Sequence, residues 1–562
     1  MNRKALVLAI VGAAAIFAAA VSAAGSDDLQ LANVPNANTR AVGYAPATLY
    51  SAGLTPVVVA QGAMKLENPD GIVTNYGYEN DVPSPTDATV PLMVPSGAIA
   101  TEAQKTEPDK NTYLVLKNQR GADPNYDYGT DFLYQGHEAG ATVNGARQGL
   151  ITRINLDADS NHRVTLLADK DDTGAPLNTI DGSTWDPFAN VLLFTTENTA
   201  APTYSATVDF PSTVHDISGS IGRGGYEGIQ NDSDGNIWIA EDIGGANKPG
   251  TVARIPNSFI YRFVPTRKND LSSGKLQALQ VMNAAGQPIT VASQTAVNAP
   301  DQVALHTYGN VFDTKWVTVH DTAVDGTTPF NANTAGKAAN ATPFKRPENG
   351  VFRPGTHFGE FVFTETGDTN ATSVENDTAG GWGSLFDLKQ SSPSASTGKI
   401  TVFFKGTART NSLDNIAFLS RNIVSPVEDR GDGLHGQLNA LDSGWALDMN
   451  TDYSKPGNLP DRIIAEGRDA SATIDSNTGG FGKNDGDNEL TGFIASNGDP
   501  TADGILGAAK PKIGHDGWRL FYTQQHGDNP TYELLAGNQR NDDEDNNDDG
   551  DHGDGDHHGH DD

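Results

Sequence analysis

Beyond the first two dozen residues, apolar segments in this chain are short and are cut off within a few residues by Gly, Asn, Asp or Pro. Strand-length runs between turn formers, with few stretches of helical period, restrict the chain to mostly antiparallel β-structure. Several runs share one form, in which an acidic or Gly-containing turn leads into a short apolar strand that ends in carboxylates or amides. Trp185-Asp186-Pro187 precedes Val191-Leu192-Leu193-Phe194, which runs on to Thr195-Thr196-Glu197. Asp234-Gly235-Asn236 precedes Ile237-Trp238-Ile239-Ala240, which ends in Glu241-Asp242. Glu360-Phe361-Val362-Phe363-Thr364 ends in Glu365, and Trp518 to Tyr522 ends at Gln524-Gln525. The runs centred on Phe194 and Trp238 lie about 44 residues apart, the period of a four-stranded propeller blade, and Val362 lies about three such steps beyond Trp238. The fold expected is an all-β, six-bladed β-propeller, with a β-sandwich carrying long loops as the alternative. One short helix is expected near Gln437 to Leu441.

Three regions follow. Residues 1–24 have the layout of a secretory signal peptide: Arg3-Lys4, an apolar run from Ala5 to Ala20, and small residues at Val21-Ser22-Ala23. Residues 25–535 form the propeller, opened by an irregular segment up to about Leu49. Residues 536–562 form an acidic, His-rich tail that buries too little apolar surface to fold. No later run is long enough to span a membrane. The expected location is the periplasm or the exterior, and no membrane insertion is expected.

Charge narrows the function. Lys plus Arg number 38 and Asp plus Glu 71, for a net charge of −33. Nucleic acid and anionic surfaces need basic patches and are disfavoured as partners. Divalent cations offset such a charge, and an anionic substrate would need them. The 562 residues include no Cys, which removes disulfides and thiolate metal sites. There is no Gly-x-Ser-x-Gly elbow and no phosphate-binding Gly-Lys loop, and His137-Glu138 lacks a second His at position 141.

What remains is oxygen chemistry. Hard cations take carboxylates from several loops at once, and a propeller brings such loops to one mouth of its channel. Glu197, Glu227, Glu348, Asp414 and Asn415 are the first candidates, because Glu is a poor turn former and an unusual choice for a strand-end loop. Glu428 and Asp429, in Val427-Glu428-Asp429-Arg430, and Asp485, Asp487 and Glu489, in Asn484 to Glu489, form a second acidic group without EF-hand order. Arg346 stands two residues before Glu348, and its planar fork suits phosphate.

Phe194-Thr195-Thr196-Glu197-Asn198, Tyr226-Glu227-Gly228, Arg346-Pro347-Glu348-Asn349 and Leu413-Asp414-Asn415-Ile416 resemble, in this order, motifs of the PhoX-type alkaline phosphatase family. Ser258 to Phe263 is similar to the family's strand after the second motif. The resemblance covers about residues 185 to 420. It implies an exported six-bladed propeller with a central iron and calcium site that hydrolyses phosphate monoesters. Glu227 and Glu348 would be metal ligands, Arg346 would contact phosphate, and Glu197 and Asp414 would lie in or beside the cluster. One departure matters: the family usually has Cys before the Glu of the first motif, and this chain has Thr196. The cofactor expected is therefore Ca2+, with Fe3+ only if carboxylates alone can hold it, and the substrate a small phosphate ester. A non-catalytic calcium-binding propeller and a lactonase-like or phytase-like hydrolase are the competing readings.

Overall fold

The computed structural model describes residues 29, 31–35, 48–62, 64–70, 73–77, 106–138, 142–143, 146–438, 440–466, 489–525 and 529–537. The expected signal segment, Asp485, Asp487 and the tail beyond residue 537 lie outside them. Apart from a two-stranded hairpin at Thr142–Val143 and Ala146–Arg147 and two added edge or bridging strands, the described strands group into six four-stranded antiparallel units. Each unit has the meander order of a propeller blade.

The first blade comprises Pro108–Val115, Asp131–His137, Leu150–Asn155 and Val164–Ala168. The second comprises Ser183–Asp186, Val191–Phe194, Tyr204–Ala206 and Val214–Asp216. The third runs from Tyr226–Asn231 through Ile237–Glu241 and Ile260–Arg267 to Asp270–Val281, and Phe312–Asp321 adds a fifth strand. The fourth comprises Gly350–Phe352, Glu360–Glu365, Ser384–Gln390 and Thr397–Lys405. The fifth comprises Leu413–Phe418, Ile423–Glu428, Ser443–Asp448 and Asp461–Ala465, edged by Leu49–Tyr50. The sixth is Leu490–Ser496, Arg519–Gln524 and Thr531–Ala536, completed by the N-terminal strand Leu54–Ala60. The first strand of each blade touches those of the two neighbouring blades, so six inner strands close a ring.

Blade faces are buried on both sides, and this explains the short, continuous apolar runs. Six apolar cores lie one at each blade interface. The interface of blades three and four is the most aromatic. Trp238 meets Trp316 and Phe352 edge-on at 5.0 and 5.2 Å, and its indole N–H donates to Asp232 Oδ2 at 2.8 Å. Asp232 also caps the turn into that strand by accepting from the amides of Asp234 and Asn236, with Gly235 at φ 79°. Such a positive φ favours Gly there.

Two expectations need correction. Val362 belongs to the blade next to that of Trp238. The extra residues between them build the fifth strand Phe312–Asp321, which pairs with Thr397–Lys405, and the short helices Pro300–Leu305 and Ala332–Ala338. The helix expected near Gln437 to Leu441 lies at Gly431–Leu438. The four runs read from sequence are nonetheless all second strands of blades.

Candidate metal and phosphate site

Acidic side chains from all six blades gather at one mouth of the ring. Each blade can supply one near the start of its inner strand, and the series is Asp109, Asp181, Glu227, Glu348, Asp414 and Glu489. Four of the six can supply another just past the end of the second strand. That series is Glu138, Glu197, Asp242 and Asp429 for blades one, two, three and five, with Thr366 and Gln525 in blades four and six.

Backbone irregularity aims these groups. The ladder between first and second strands slips after Pro108, Tyr226, Leu413 and Thr491 in blades one, three, five and six. A bulge turns consecutive side chains away from their regular faces. In this way Asp109 and Lys110, Glu227, and Asp414 and Asn415 all leave the sheet plane. Two glycines let the inner strands approach. A Cβ on Gly182 would stand 2.0 Å from the Glu227 carbonyl oxygen, and one on Gly228 would stand 2.7 Å from that of Glu348. Hydroxyls then tie neighbouring blades together: Thr195 Oγ1 donates to the Glu227 carbonyl at 2.5 Å, and Thr364 Oγ1 to that of Asp414 at 2.7 Å.

The result is three contiguous carboxylate triads, each with ligand atoms within 4.8 Å of one another: Glu138, Asp181 and Glu197; Asp109, Asp181 and Glu227; and Glu227, Glu348 and Asp414. Asp181 and Glu227 each belong to two of them. Burial, then mutual repulsion, pushes Asp109, Asp181, Glu227 and Glu348 well above the ordinary carboxylate range. Burial first, then Asp429 and Asp414, does the same for Glu489. Glu197 faces solvent through the funnel, yet protein crowds it on the other sides, so lost hydration and then Glu138 and Asp242 raise it too. Asp414 rises to about 6, chiefly through burial. Charges held this close need protons or cations.

Two basic groups stand among the acids. Lys110 is 3% exposed and donates to Asn349 Oδ1 at 3.2 Å and Asn415 Oδ1 at 2.9 Å. Arg346 has a left-handed backbone, φ 56°, a strained state for a side chain of this size. Its Nε and Nη2 donate to Asp242 Oδ2 at 2.9 and 2.7 Å, and Nη2 lies 3.4 Å from Glu348 Oε1. Burial opposes its charge, but Asp242 and Glu348 outweigh burial and hold the proton tightly. Nη1 makes no hydrogen bond to the described residues.

Glu227, Glu348 and Asp414, expected from sequence, meet in one triad. Glu197 sits in the triad at the other end of the run, linked to this one through Asp181 and Glu227 of the triad between them. Asn415 and Asp429 border the cluster, and Glu489 adjoins Asp414. Glu428 does not join. Arg430 Nε and Nη2 donate to its two carboxylate oxygens at 3.0 Å each, and both side chains are fully buried. That pair satisfies Glu428 inside blade five and leaves Asp429 to face the funnel. Sequence reading missed Asp109, Lys110, Glu138, Asp181 and Asp242. For the acids the signal was a carboxylate at the start of every blade's first hairpin and at the end of four of them, a pattern visible only once the hairpins are aligned.

The donors fit a hard, oxygen-loving cation. Asp414 Oδ2 is buried without a hydrogen-bond partner, although Oδ1 accepts from Asn349 and Asn415 at 3.3 and 3.2 Å. The same donors do not fit a thiolate-bridged iron centre. The chain has no Cys to supply a thiolate, and the Thr196 hydroxyl, next to Glu197, donates to the Pro202 carbonyl at 3.0 Å.

No family model matches the sequence, and no curated protein does. Among solved structures the chain is similar to Pseudomonas fluorescens PhoX in complex with vanadate, a transition-state analogue, with a TM-score of 0.52 and 10% identity over 91% of this chain and 98% of that one. A fungal alcohol oxidase of the AA5 family in complex with copper aligns at TM-score 0.34 and 10% identity, over 77% of this chain and 74% of that one. Sqt1 from Chaetomium thermophilum aligns at 0.31 and 11%, over 77% and 96%. At such identities the likeness is one of fold.

Proposed function

We propose that this chain is an exported, metal-dependent phosphatase that hydrolyses small phosphate esters in the acidic funnel. The observation that carries the reading is the run of three linked triads with Arg346 beside the third, its Nη1 unengaged. Divalent cations held there would neutralise the carboxylates and polarise a phosphoryl group. Asp181 and Glu227, shared between triads, would hold neighbouring cations together. Asp242 fixes the Arg346 fork before substrate arrives, so its remaining N–H groups are oriented for phosphate oxygens. All first-choice donors are oxygen, so calcium is the cation proposed. The fold shared with a vanadate-bound phosphatase supports the substrate class. Arg3-Lys4 and the Ala-rich run after them support export, and no helix among the described residues is long and apolar enough to cross a membrane.

The test is hydrolysis of a chromogenic phosphate monoester by protein stripped of metal and then given calcium. Activity is expected only with the cation, and Arg346→Lys is expected to lower kcat by about 10²- to 10³-fold, the usual loss for a positioned charge-stabilising donor. Turnover that survives both chelation and Arg346→Lys would refute the proposal.

A second reading, a non-catalytic calcium-binding propeller, is favoured by the commitment of two Arg346 nitrogens to Asp242. It predicts a melting temperature raised by calcium with no turnover on any ester.

A further inference from the structure

Lys110 is a fixed cation inside a site built for mobile ones. It stands between the funnel and an axial cavity of about 90 Å³ lined by inner-strand residues such as Thr112, Ser183, Gln230 and Val351. Asp414, Asp109, Glu227 and Asp181 favour its charge, in that order, against a larger loss from burial. Yet its hydrogen bonds go to two amide oxygens, those of Asn349 and Asn415.

That choice has a consequence two bonds away. An ammonium only donates, so both amides must turn their oxygens to Lys110. Their NH2 groups then face the other way, and both donate to Asp414 Oδ1, at 3.3 and 3.2 Å. Oδ1 is thereby saturated, while Oδ2 is left buried with no hydrogen bond, on a carboxylate that offers one oxygen to the triad with Glu227 and Glu348 and adjoins Glu489. Without Lys110 the Asn349 amide could rotate by half a turn and withdraw its donor, while Asn415 would be held only by Thr491 Oγ1, which accepts from its Nδ2 at 3.0 Å, so the Asp414 carboxylate would lose part of its orientation.

We propose that Lys110 is a positioning residue: acting through the Asn349 and Asn415 amides, it holds Asp414 Oδ2 open to the cation of the third triad. The inference rests on the funnel being a cation site. It makes a claim opposite in sign to simple electrostatics. Removing a positive charge from among carboxylates should tighten cation binding, whereas loss of an orienting group that does not itself touch the metal commonly weakens it about 10- to 100-fold.

The experiment is a calcium binding isotherm on full-length, metal-free protein, with stoichiometry checked by elemental analysis. Wild type is expected to take three ions. Lys110→Met should weaken one of them by about 10- to 100-fold and leave the other two. Asp414→Asn should weaken the same ion, and the double variant should be no worse than Asp414→Asn alone, because Lys110 acts through Asp414. If Lys110→Met does not fold, Asn415→Leu, which keeps the Lys110 charge and removes one of the amides, is read in the same way and should also weaken one ion. Unchanged or tighter binding in Lys110→Met, or in Asn415→Leu where it stands in, overturns the inference alone. Wild-type protein that binds no calcium overturns the funnel reading and this inference with it.

Discussion

Asp414→Asn should stabilise the metal-free protein and destabilise the calcium-loaded one. The side chain is 3% exposed, and burial, then Asp429, lifts its pKa from 3.8 to about 6 against its hydrogen bonds and Lys110. A folded value above the unfolded one means that the carboxyl favours the fold fully only below about pH 4, and that this contribution is lost as pH rises through about 6. The gap of about two units corresponds to about 3 kcal/mol at neutral pH. Asn has the same shape, keeps an acceptor for Asn349 and Asn415, and carries no charge. At pH 7.5 the metal-free variant should therefore exceed wild type by up to about 3 kcal/mol. With an unfolding entropy of about 2 cal/mol/K per residue, that is a rise of about 3 °C in Tm. The gain should fade towards pH 4, where wild-type Asp414 is neutral. In calcium the sign should reverse, because the variant lacks one oxygen anion of the third triad. Scanning calorimetry of stripped protein at both pH values, and again with calcium, reads all three conditions. If Asp414→Asn lowers the Tm of stripped protein at pH 7.5 as much as it does in calcium, Asp414 is an ordinary structural acceptor and the repulsion argument is wrong.

Two further expectations separate the scaffold from the site. Arg430→Met removes the fork that pairs with buried Glu428, leaving it the Asn411 amide and the more distant Arg462, and should cost about 3–5 kcal/mol of unfolding free energy in urea with or without calcium, since Glu428 lies outside the triads. Trp238→Ala removes the centre of the aromatic interface between blades three and four, and should cost about 3–5 kcal/mol by the same measurement while calcium stoichiometry is unchanged.

Much of the fold could be read locally. A strand buried on both faces has to be short and apolar, and a hairpin turn needs Gly, Asn or Asp. The runs at Phe194, Trp238, Val362 and Phe521 therefore declared themselves, and each is the second strand of a blade. Counting blades by sequence distance failed between Trp238 and Val362, because an added strand and two helices carry no period of their own. At the site, Glu227, Glu348 and Arg346 stood out through their motifs. Glu428 and Asp429 looked equivalent, and only the burial of Arg430 against Glu428 separates a structural pair from a funnel acid. Asp109, Lys110, Glu138 and Asp181 sit in segments with no motif; a bulge aims the first two, and Glu138 and Asp181 matter through the strand ends that ring closure brings together.

The sequence by itself determined the β-class, the strong negative charge, the lack of any thiolate and the supply of oxygen ligands, since each of these belongs to residues one at a time or to neighbours within a few positions. Only the tertiary structure decided which carboxylates meet. Ring closure joins Asp109 near one end of the chain to Thr491 and Asp414 near the other, and nothing in the spacing of residues hundreds of positions apart encodes a distance of a few ångströms. The orientation of Asp414, set by Lys110 through two amides, is likewise a property of the closed ring, because its four members come from three blades.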